Sequence, residues 1–219
     1  MLNLKITANK NALLKGFDNE IYALLQLKDN SPQTKQNKQK SLNVSIVIDR
    51  SGSMSGQPLD EAKKSAIMMV QNMTSKDRIS IISYDDEANL IVPSTLCSNK
   101  ELIIQCINGI NCGGMTNLHT GWLLGAEEVA KYKNKKSINR VLLLSDGNAN
   151  RGLTDINEIN EQCSGLADTG VTTSTYGLGI HFNELLMIEM AKNGLGQSYY
   201  GETAQDLLDP FKEEFELLQ

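Results

Sequence analysis

The stretch Ser45-Ile-Val-Ile-Asp49-Arg50-Ser51-Gly52-Ser53 decides the predicted fold. Its first part is short, apolar and rich in β-branched residues, which is typical of a buried strand. Its second part is polar and contains glycine, which is typical of the loop that follows such a strand. Pro58 then marks the start of a helix, and Asp60 lies in the first turn, where a carboxylate suits the helix dipole.

Strand and helix patterns alternate from residue 42 onward. Strands are predicted at 44–49, 78–84, 90–92, 139–145, 171–177 and 198–200, and helices at 58–73, 100–109, 118–132, 155–169, 183–193 and 203–218. The segment Asp85-Asp86-Glu87 is too short for a helical crossover, so the strand that follows it is predicted to be antiparallel. The alternation predicts a doubly wound, mostly parallel α/β sheet with helices on its faces.

The chain before this domain has a different character. Residues 1–30 are predicted to be an N-terminal β-strand extension, with strands at 2–8 and 20–28 and a turn at Asp18-Asn19. Residues 31–41 contain no aromatic or aliphatic side chain and are predicted to be a polar linker or loop. The main domain is therefore predicted to occupy residues 42–219.

Composition excludes several classes of protein. Of 219 residues, 40% are hydrophobic and 21% are charged, which is typical of globular chains and excludes a disordered or collagen-like one. The net charge of −5 argues against a broad nucleic-acid surface. No apolar run approaches the ~18 residues of a transmembrane helix, and the start lacks the apolar segment of a signal peptide. These features lead us to expect a cytoplasmic protein without membrane insertion.

The cysteines do not predict a zinc site. Cys97, Cys106, Cys112 and Cys163 form no Cys-x-x-Cys pair, and neither histidine has zinc-ligand spacing. We expect them to be reduced thiols that are mostly buried as small apolar groups.

Five oxygen-bearing side chains follow predicted strands or lie in the loop between them: Asp49, Ser51, Ser53, Thr116 and Asp146. In open α/β sheets, ligands bind beyond the carboxyl ends of the strands. Oxygen donors without nitrogen or sulfur favour Mg²⁺, Mn²⁺ or Ca²⁺. Two carboxylates leave a divalent ion electrophilic, so a partner's carboxylate or phosphate could complete its coordination. Taken alone, however, Asp49, Ser51 and Ser53 are better explained by helix capping and turn formation, and it is the surrounding strands and loops that favour a metal site.

These motifs resemble the von Willebrand factor type A domain with a complete metal-ion-dependent adhesion site. Asp49, Ser51 and Ser53 match the family's Asp-x-Ser-x-Ser, Thr116 its loop threonine and Asp146 its second aspartate. The resemblance covers about residues 42–219 and is strongest to bacterial members. It implies a six-stranded sheet with one antiparallel edge strand, a bound Mg²⁺ (or Mn²⁺ or Ca²⁺), and a protein partner that presents a Glu or Asp carboxylate.

Several other residues allow two interpretations. His119 could lie near the ion or at an exposed helix start, and His181 is interpreted as structural. Asp85 and Asp86 could orient site hydroxyls or waters, or form a polar turn. Gly121-x-x-x-Gly125 is interpreted as close packing of a helix on the sheet. A partner-contacting rim could be formed by Arg50, Asn148, Asn150, Arg151, Met54 and Met115, although solvated loop or core roles are comparable interpretations.

Three functions remain open at this stage. The favoured one is a metal-dependent protein-binding module without catalysis. The alternatives are a structural domain that does not use its ion and a metal-dependent hydrolase. For the hydrolase, Met54 stands at the centre of Gly52–Gly56, where a serine-hydrolase elbow needs its nucleophile, and no nucleotide-binding glycine loop is present in the sequence.

Overall fold

The computed structural model describes residues 2–8, 15–16, 22–29, 40–178 and 184–217. The chain divides into two compact units, residues 1–38 and 39–219. The turn predicted at Asp18-Asn19, most of the predicted linker at 31–41 and the prediction for His181 lie outside the described residues. The predicted domain boundaries therefore stay predictions.

The first unit contains two antiparallel strands, β1 (Leu2–Ala8) and β2 (Ala23–Asp29). Leu4 pairs with Leu27 and Ile6 with Leu25. Because directly opposed residues and alternate residues of a strand share a face, Leu4, Ile6 and Leu25 lie on one face of this ribbon.

The second unit contains a mixed sheet. Its strands within the described residues are β3 (Ser41–Asp49), β4 (Arg78–Tyr84), β5 (Ala88–Leu96), β6 (Ser137–Ser145), β7 (Thr172–Leu178) and β8 (Ser198–Gly201). They lie in the order β5-β4-β3-β6-β7-β8. Neighbouring strands are parallel, except that β5 runs antiparallel to β4 at the edge. The predicted fold class is confirmed.

Helices follow most of these strands, although β5 follows β4 directly and two helices lie between β5 and β6. The helices are α1 (Gln57–Asn72), α2 (Lys100–Asn108), α3 (Leu118–Ala130), α4 (Ile156–Asp168), α5 (Glu184–Asn193) and α6 (Ala204–Leu217). Local sequence sets their starts: Pro58 lies in the first turn of α1, and the side chain of Asp155 accepts the N–H groups of Asn157 and Glu158 at the start of α4. Within the described residues, every helix is too short or too polar to span a bilayer.

Two apolar cores cover the two faces of the sheet. One packs α1, α2 and α6 against strand residues such as Ile46 and Ile48. The other packs α3, α4 and α5 against residues such as Val47 and Leu143. The alternation of Ile46, Val47 and Ile48 between the two cores follows from the two-residue period of a strand, and the nearly continuous apolar sequence is typical of a strand buried on both faces.

The strand order reverses at β3. The chain passes from β3 to β4 on one side of it, and β6 later pairs with its other side. Since β3 and β6 are parallel neighbours, their carboxyl ends lie next to each other at the point where doubly wound sheets bind ligands. The residues after Asp49 and after Ser145 therefore meet at this edge.

Candidate metal centre

The first loop of the candidate site follows β3. Asp49 and Ser51 are buried, and the Ser51 N–H donates to Asp49 Oδ1 at 2.9 Å. Residues Gly52–Met54 form one turn of 3-10 helix, which brings the Ser51 and Ser53 hydroxyl oxygens within 3.3 Å of each other. Ser53 is exposed. The loop thus carries one buried carboxylate and two neighbouring hydroxyls, the second facing solvent.

The electrostatic environment of Asp49 connects it to the second aspartate. Burial raises the pKa of its carboxyl, while hydrogen bonds from Ser145 and Ser51 oppose that shift. The negative charge of Asp146 also raises the Asp49 pKa, because a like charge disfavours ionisation. A cation between them would remove this repulsion.

The second loop, residues 111–117, lies against the first. The Gly52 N–H donates to Gly114 O at 2.8 Å, and the Gly113 N–H donates to Arg50 O at 2.7 Å. These two backbone hydrogen bonds hold the loops together on both sides of Ser51. Thr116, the predicted loop ligand, is buried.

The third loop, residues 146–152, closes on Thr116. Asn150 Oδ1 accepts the Thr116 N–H at 2.9 Å, and Thr116 O accepts the N–H groups of Asn150 and Arg151 at 3.1 and 3.2 Å. Asp146 Oδ1 accepts the Asn148 N–H at 3.0 Å, which shapes the turn. The structure thus joins the three loops that carry the five predicted ligands.

The assignment of those five side chains as ligands stays a prediction. The described part of the chain contains no group of three or more His, Cys, Asp or Glu side chains that could hold a metal. Hydroxyl groups would therefore have to complete the shell around Asp49 and Asp146, and such a donor set suits a hard ion that keeps some of its waters.

Asp85 holds the loops in place through an arginine. Its Oδ2 lies 2.8 Å from Arg50 Nη2 and accepts the Gly114 N–H at 3.2 Å, while its backbone oxygen accepts the Asn117 N–H. Burial opposes ionisation of this carboxyl, but the N–H groups of Gly114 and Glu87 and the Arg50 guanidinium bring its pKa below the ordinary value. Of the two interpretations from sequence, the polar turn is observed, since Asp85 Oδ1 accepts the Glu87 N–H at 3.3 Å and the Asp85 N–H donates to Glu87 O. The same side chain also bonds Arg50 and the Gly114 N–H.

Asp86, which is more exposed than Asp85, also bonds an arginine of a neighbouring loop. Its carboxylate forms an ion pair with Arg151 of the third loop. Two glycines make room for both aspartates: a Cβ on Gly113 would lie 1.9 Å from Asp85 Oδ2, and one on Gly114 would lie 2.0 Å from Asp86 Oδ2. Side chains at these positions are therefore incompatible with the observed carboxylate placement.

The remaining candidates take separate positions. His119 Nε2 lies 2.8 Å from Gln162 Oε1 at the start of α3. Met54 is fully buried in a core, whereas Met115 is 53% exposed beside Thr116. The interpretation of Gly121 and Gly125 is supported, because a Cβ at either would lie 2.5 Å from a β-strand side chain.

The cysteines depart partly from expectation. All four are free thiols, with Cys97 and Cys163 buried and Cys106 partly buried. Cys112 is exposed, and its Sγ lies 3.3 Å from Ser51 O. The expectation of burial fails here because Cys112 belongs to the second loop rather than to an element that packs on the sheet.

Sequence reasoning missed two residues at the site. Tyr84 and Ser145 end β4 and β6, and both hydroxyls contact Asp49 Oδ2. The available signal was their position as hydroxyl-bearing residues at the carboxyl ends of two predicted strands, one of them directly before Asp146.

The fold and site define an open α/β sheet protein whose loops gather oxygen donors at the strand-order reversal. The model of the von Willebrand factor type A domain matches residues 43–213, and the chain belongs to this family. Domains of the family usually act as non-enzymatic interaction modules and often hold a divalent metal at this place.

Individual relatives agree with this membership. The uncharacterized protein sll0103 of Synechocystis sp. is 30% identical over 80% of this chain, which spans 41% of the length of that relative. The conserved hypothetical protein BatB from Bacteroides thetaiotaomicron shares the fold, with a TM-score of 0.70 and 17% identity over 81% of this chain and 98% of that chain. Proximal thread matrix protein 1 from the mussel byssus, with a zinc occupied MIDAS motif, has a TM-score of 0.65 and 19% identity over 82% of this chain and 48% of that one.

Proposed function

We propose that this domain binds protein partners through a divalent ion. In this proposal, the ion is held by Asp49, Ser51, Ser53, Thr116 and Asp146, and an Asp or Glu carboxylate of the partner completes its coordination. The observation that carries the proposal is the joining of the three loops that bear these side chains by backbone hydrogen bonds of 2.7–3.2 Å.

Charge supports a role for the ion in partner binding. The loops at this edge carry five carboxylates, from Asp49, Asp85, Asp86, Glu87 and Asp146, against two guanidinium groups, from Arg50 and Arg151. Three negative charges remain, so a partner's carboxylate is repelled when no cation is present. A divalent ion reduces this excess and supplies a Lewis-acidic position that a carboxylate can occupy.

In this proposal, buried residues of the chain hold the ion and exposed residues contact the partner. Asp49 and Thr116 are buried and held by several hydrogen bonds, so they keep their positions without a partner. Ser53 and Met115 are exposed at the same edge and are available to a partner. A partner that presents its acidic residue beside an apolar one would satisfy both kinds of contact.

The donor set favours a hard ion. Carboxylate and hydroxyl oxygens suit Mg²⁺, Mn²⁺ and Ca²⁺. The zinc in the mussel byssus protein belongs to that protein, but it motivates including Zn²⁺ as a competitor in any measurement on this chain.

Titration calorimetry tests the metal part of the proposal. We expect the wild type to bind Mg²⁺ and Mn²⁺ at one site and Asp49→Ala to lose most of the affinity. Asp168→Ala is the matched control, because Asp168 is an exposed carboxylate at the carboxyl end of α4. Equal heats for the wild type and Asp49→Ala would refute the metal site.

Water-proton relaxation of the Mn²⁺-loaded protein tests the partner part. A peptide array that varies one Glu among apolar neighbours should contain members that reduce the relaxation enhancement, because their carboxylate displaces a coordinated water. The same peptides with Gln in place of Glu should have no effect. If the ion binds but no carboxylate peptide changes the relaxation enhancement, the result supports the alternative of a structural domain that does not use its ion to bind partners. Turnover of phosphate esters that Asp146→Ala abolishes would support the hydrolase instead.

A further inference from the structure

Tyr84 places a buried hydroxyl against Asp49. It is the last residue of β4 and pairs in register with Asp49, the last residue of β3. Its hydroxyl donates to Asp49 Oδ2 at 3.1 Å, and the side chain is fully buried. Gly121 of α3 packs directly on the ring, since a Cβ there would lie 2.5 Å from ring carbons. The ring is thus confined between the helix and the sheet, and its hydroxyl has a fixed direction.

Ser145 approaches the same oxygen from the other neighbouring strand. Its hydroxyl donates to Asp49 Oδ2 at 2.6 Å, and its Oγ accepts the Gly147 N–H at 2.9 Å. Gly147 follows Asp146, so one short chain of hydrogen bonds runs from the loop of the second aspartate to the carboxylate of the first. Ser145 is fully buried, so water does not compete for these bonds.

The two oxygens of the Asp49 carboxylate are therefore not equivalent. Oδ2 accepts two hydroxyl groups, which matches the usual capacity of a carboxylate oxygen. Oδ1 accepts the Ser51 N–H and faces the loop that carries Ser51 and Ser53. The oxygen that remains able to face a cation beside those hydroxyls is Oδ1.

We propose that Tyr84 and Ser145 are positioning residues for the metal centre, which hold Asp49 Oδ2 so that the carboxylate presents Oδ1 to the ion. This inference rests on the proposed function, since it needs an ion at the site. It adds two residues outside the five predicted ligands and assigns them a role through Asp49. Hydrogen-bonding partners of metal ligands commonly change ion affinity about 10- to 100-fold when removed.

A purely structural role of Tyr84 and Ser145 would give a different experimental result from a positioning role. If the two hydroxyls merely satisfy a buried carboxylate, their removal destabilises the metal-free fold and leaves ion affinity unchanged. If they position the carboxylate, ion affinity falls, and a variant that keeps the hydroxyl restores it. Ser145 should also matter more than Tyr84, because Ser145 bonds the loops of both aspartates.

The experiment titrates four variants with Mn²⁺ and monitors binding by electron paramagnetic resonance. The unfolding midpoint of each variant is measured separately, without metal. We expect Ser145→Ala to weaken Mn²⁺ binding about 10- to 100-fold and Tyr84→Phe about 10-fold, both with altered line shapes. Ser145→Thr, which keeps the hydroxyl, should restore affinity to within about threefold. Thr173→Val is the control: it removes a buried hydroxyl that Trp122 Nε1 donates to at 2.9 Å, and should lower the unfolding midpoint without changing Mn²⁺ affinity.

The outcomes separate this inference from the proposed function. If the wild type binds Mn²⁺ and both Tyr84→Phe and Ser145→Ala bind it within twofold of the wild type, the positioning role is overturned and the metal site stands. If the wild type itself binds no Mn²⁺, the proposed function fails and this inference fails with it.

Discussion

Asn150 and Thr116 are joined by two reciprocal hydrogen bonds. The Thr116 N–H donates to Asn150 Oδ1 at 2.9 Å, while the Asn150 N–H donates back to Thr116 O at 3.1 Å. The first bond uses a side chain and the second uses only backbone groups, so the loop after Asp146 and the loop of Thr116 are fixed to each other at two points. Asn150 is exposed, and its two hydrogen bonds help to determine where Thr116 lies.

Asn150→Ala should remove one of the hydrogen bonds that fix the position of Thr116. The substitution removes the acceptor of the Thr116 N–H, and we expect a loss of about 0.5–1.5 kcal/mol in the free energy of unfolding. Mn²⁺ affinity should fall as well, because a predicted ligand loses its support. Urea denaturation and calorimetry measure the two effects.

Asn150→Asp is the matched control for that change. An aspartate keeps an oxygen at the same place and can still accept the Thr116 N–H, so stability should stay near that of the wild type. The added negative charge should also hold Mn²⁺ affinity at or above the wild-type value. If Asn150→Asp binds Mn²⁺ as weakly as Asn150→Ala does, the hydrogen bond from the Thr116 N–H to the side chain at position 150 does not determine Mn²⁺ affinity.

Gly113→Ala should disturb the whole second loop. Its Cβ would lie 1.9 Å from Asp85 Oδ2 and 3.2 Å from Asp85 Cβ, so the entire carboxylate must move away from Arg50. We expect a cost of about 1–3 kcal/mol, the usual range for overpacking. Denaturant unfolding of the variant measures it.

Gly165→Ala is the control for the glycine substitution. Gly165 lies within α4, and a Cβ there meets nothing within 4 Å. Alanine has the higher helix propensity, so this variant should gain up to about 1 kcal/mol. Equal destabilisation by both substitutions would show that the contact with Asp85 is not the cause.

The sequence predicted most of the fold because local and global signals agree. The apolar run before Asp49 predicted β3 as a buried strand, and the short Asp85-Asp86-Glu87 connection predicted that β5 is antiparallel, as observed. Element ends were less predictable. Strand β5 continues to Leu96, past the predicted end at 92, because pairing with β4 overrides the weak β propensity of Pro93 and Ser94.

The positions of the predicted ligands relative to the strands were visible in the sequence, but the contacts that support them were not. Asp49 and Asp146 stand directly after apolar strands, and that position is visible in the sequence. The roles of Tyr84 and Asn150 depend on tertiary contacts, across β3–β4 and between two loops, for which no spacing rule exists. The pairing of Asp85 with Arg50 was likewise hidden, because it joins residues 35 positions apart in the chain.

Alkylation should separate the thiols by exposure. Cys112 is exposed, whereas Cys97 and Cys163 are buried, and burial raises the pKa of Cys163 to about 12. We expect iodoacetamide at pH 8 to modify Cys112 at least about 100-fold faster than Cys163, since the thiolate is the nucleophile. Peptide mass spectrometry over time measures the rates, and in urea all four thiols should react alike. Rapid native labelling of Cys163 would contradict the packing of α4 on the sheet.

Asp85→Asn should give a pH-dependent loss of stability. The carboxyl pKa is lower in the folded protein than its ordinary value of 3.8, owing to the Gly114 and Glu87 amides and Arg50. The contribution of the ionised group is therefore fully present above pH 3.8 and is lost as the pH falls through the lower folded pKa. We expect Asp85→Asn to cost about 1–3 kcal/mol at pH 7 and progressively less as the pH falls below 3.8.

The measurement is a series of urea unfolding curves from pH 7 to pH 2.5 for the wild type and the variant. Asp86→Asn serves as the control, because its partner Arg151 is half exposed and an exposed ion pair contributes at most about 1 kcal/mol. The difference between the wild type and Asp85→Asn should be constant above about pH 5 and shrink steadily below pH 3.8, since protonation of the wild-type carboxyl removes the charge that the variant lacks. A difference that stays constant down to pH 2.5 would mean that Asp85 acts through its neutral hydrogen bonds and that its charge does not hold Arg50 at the edge of the site.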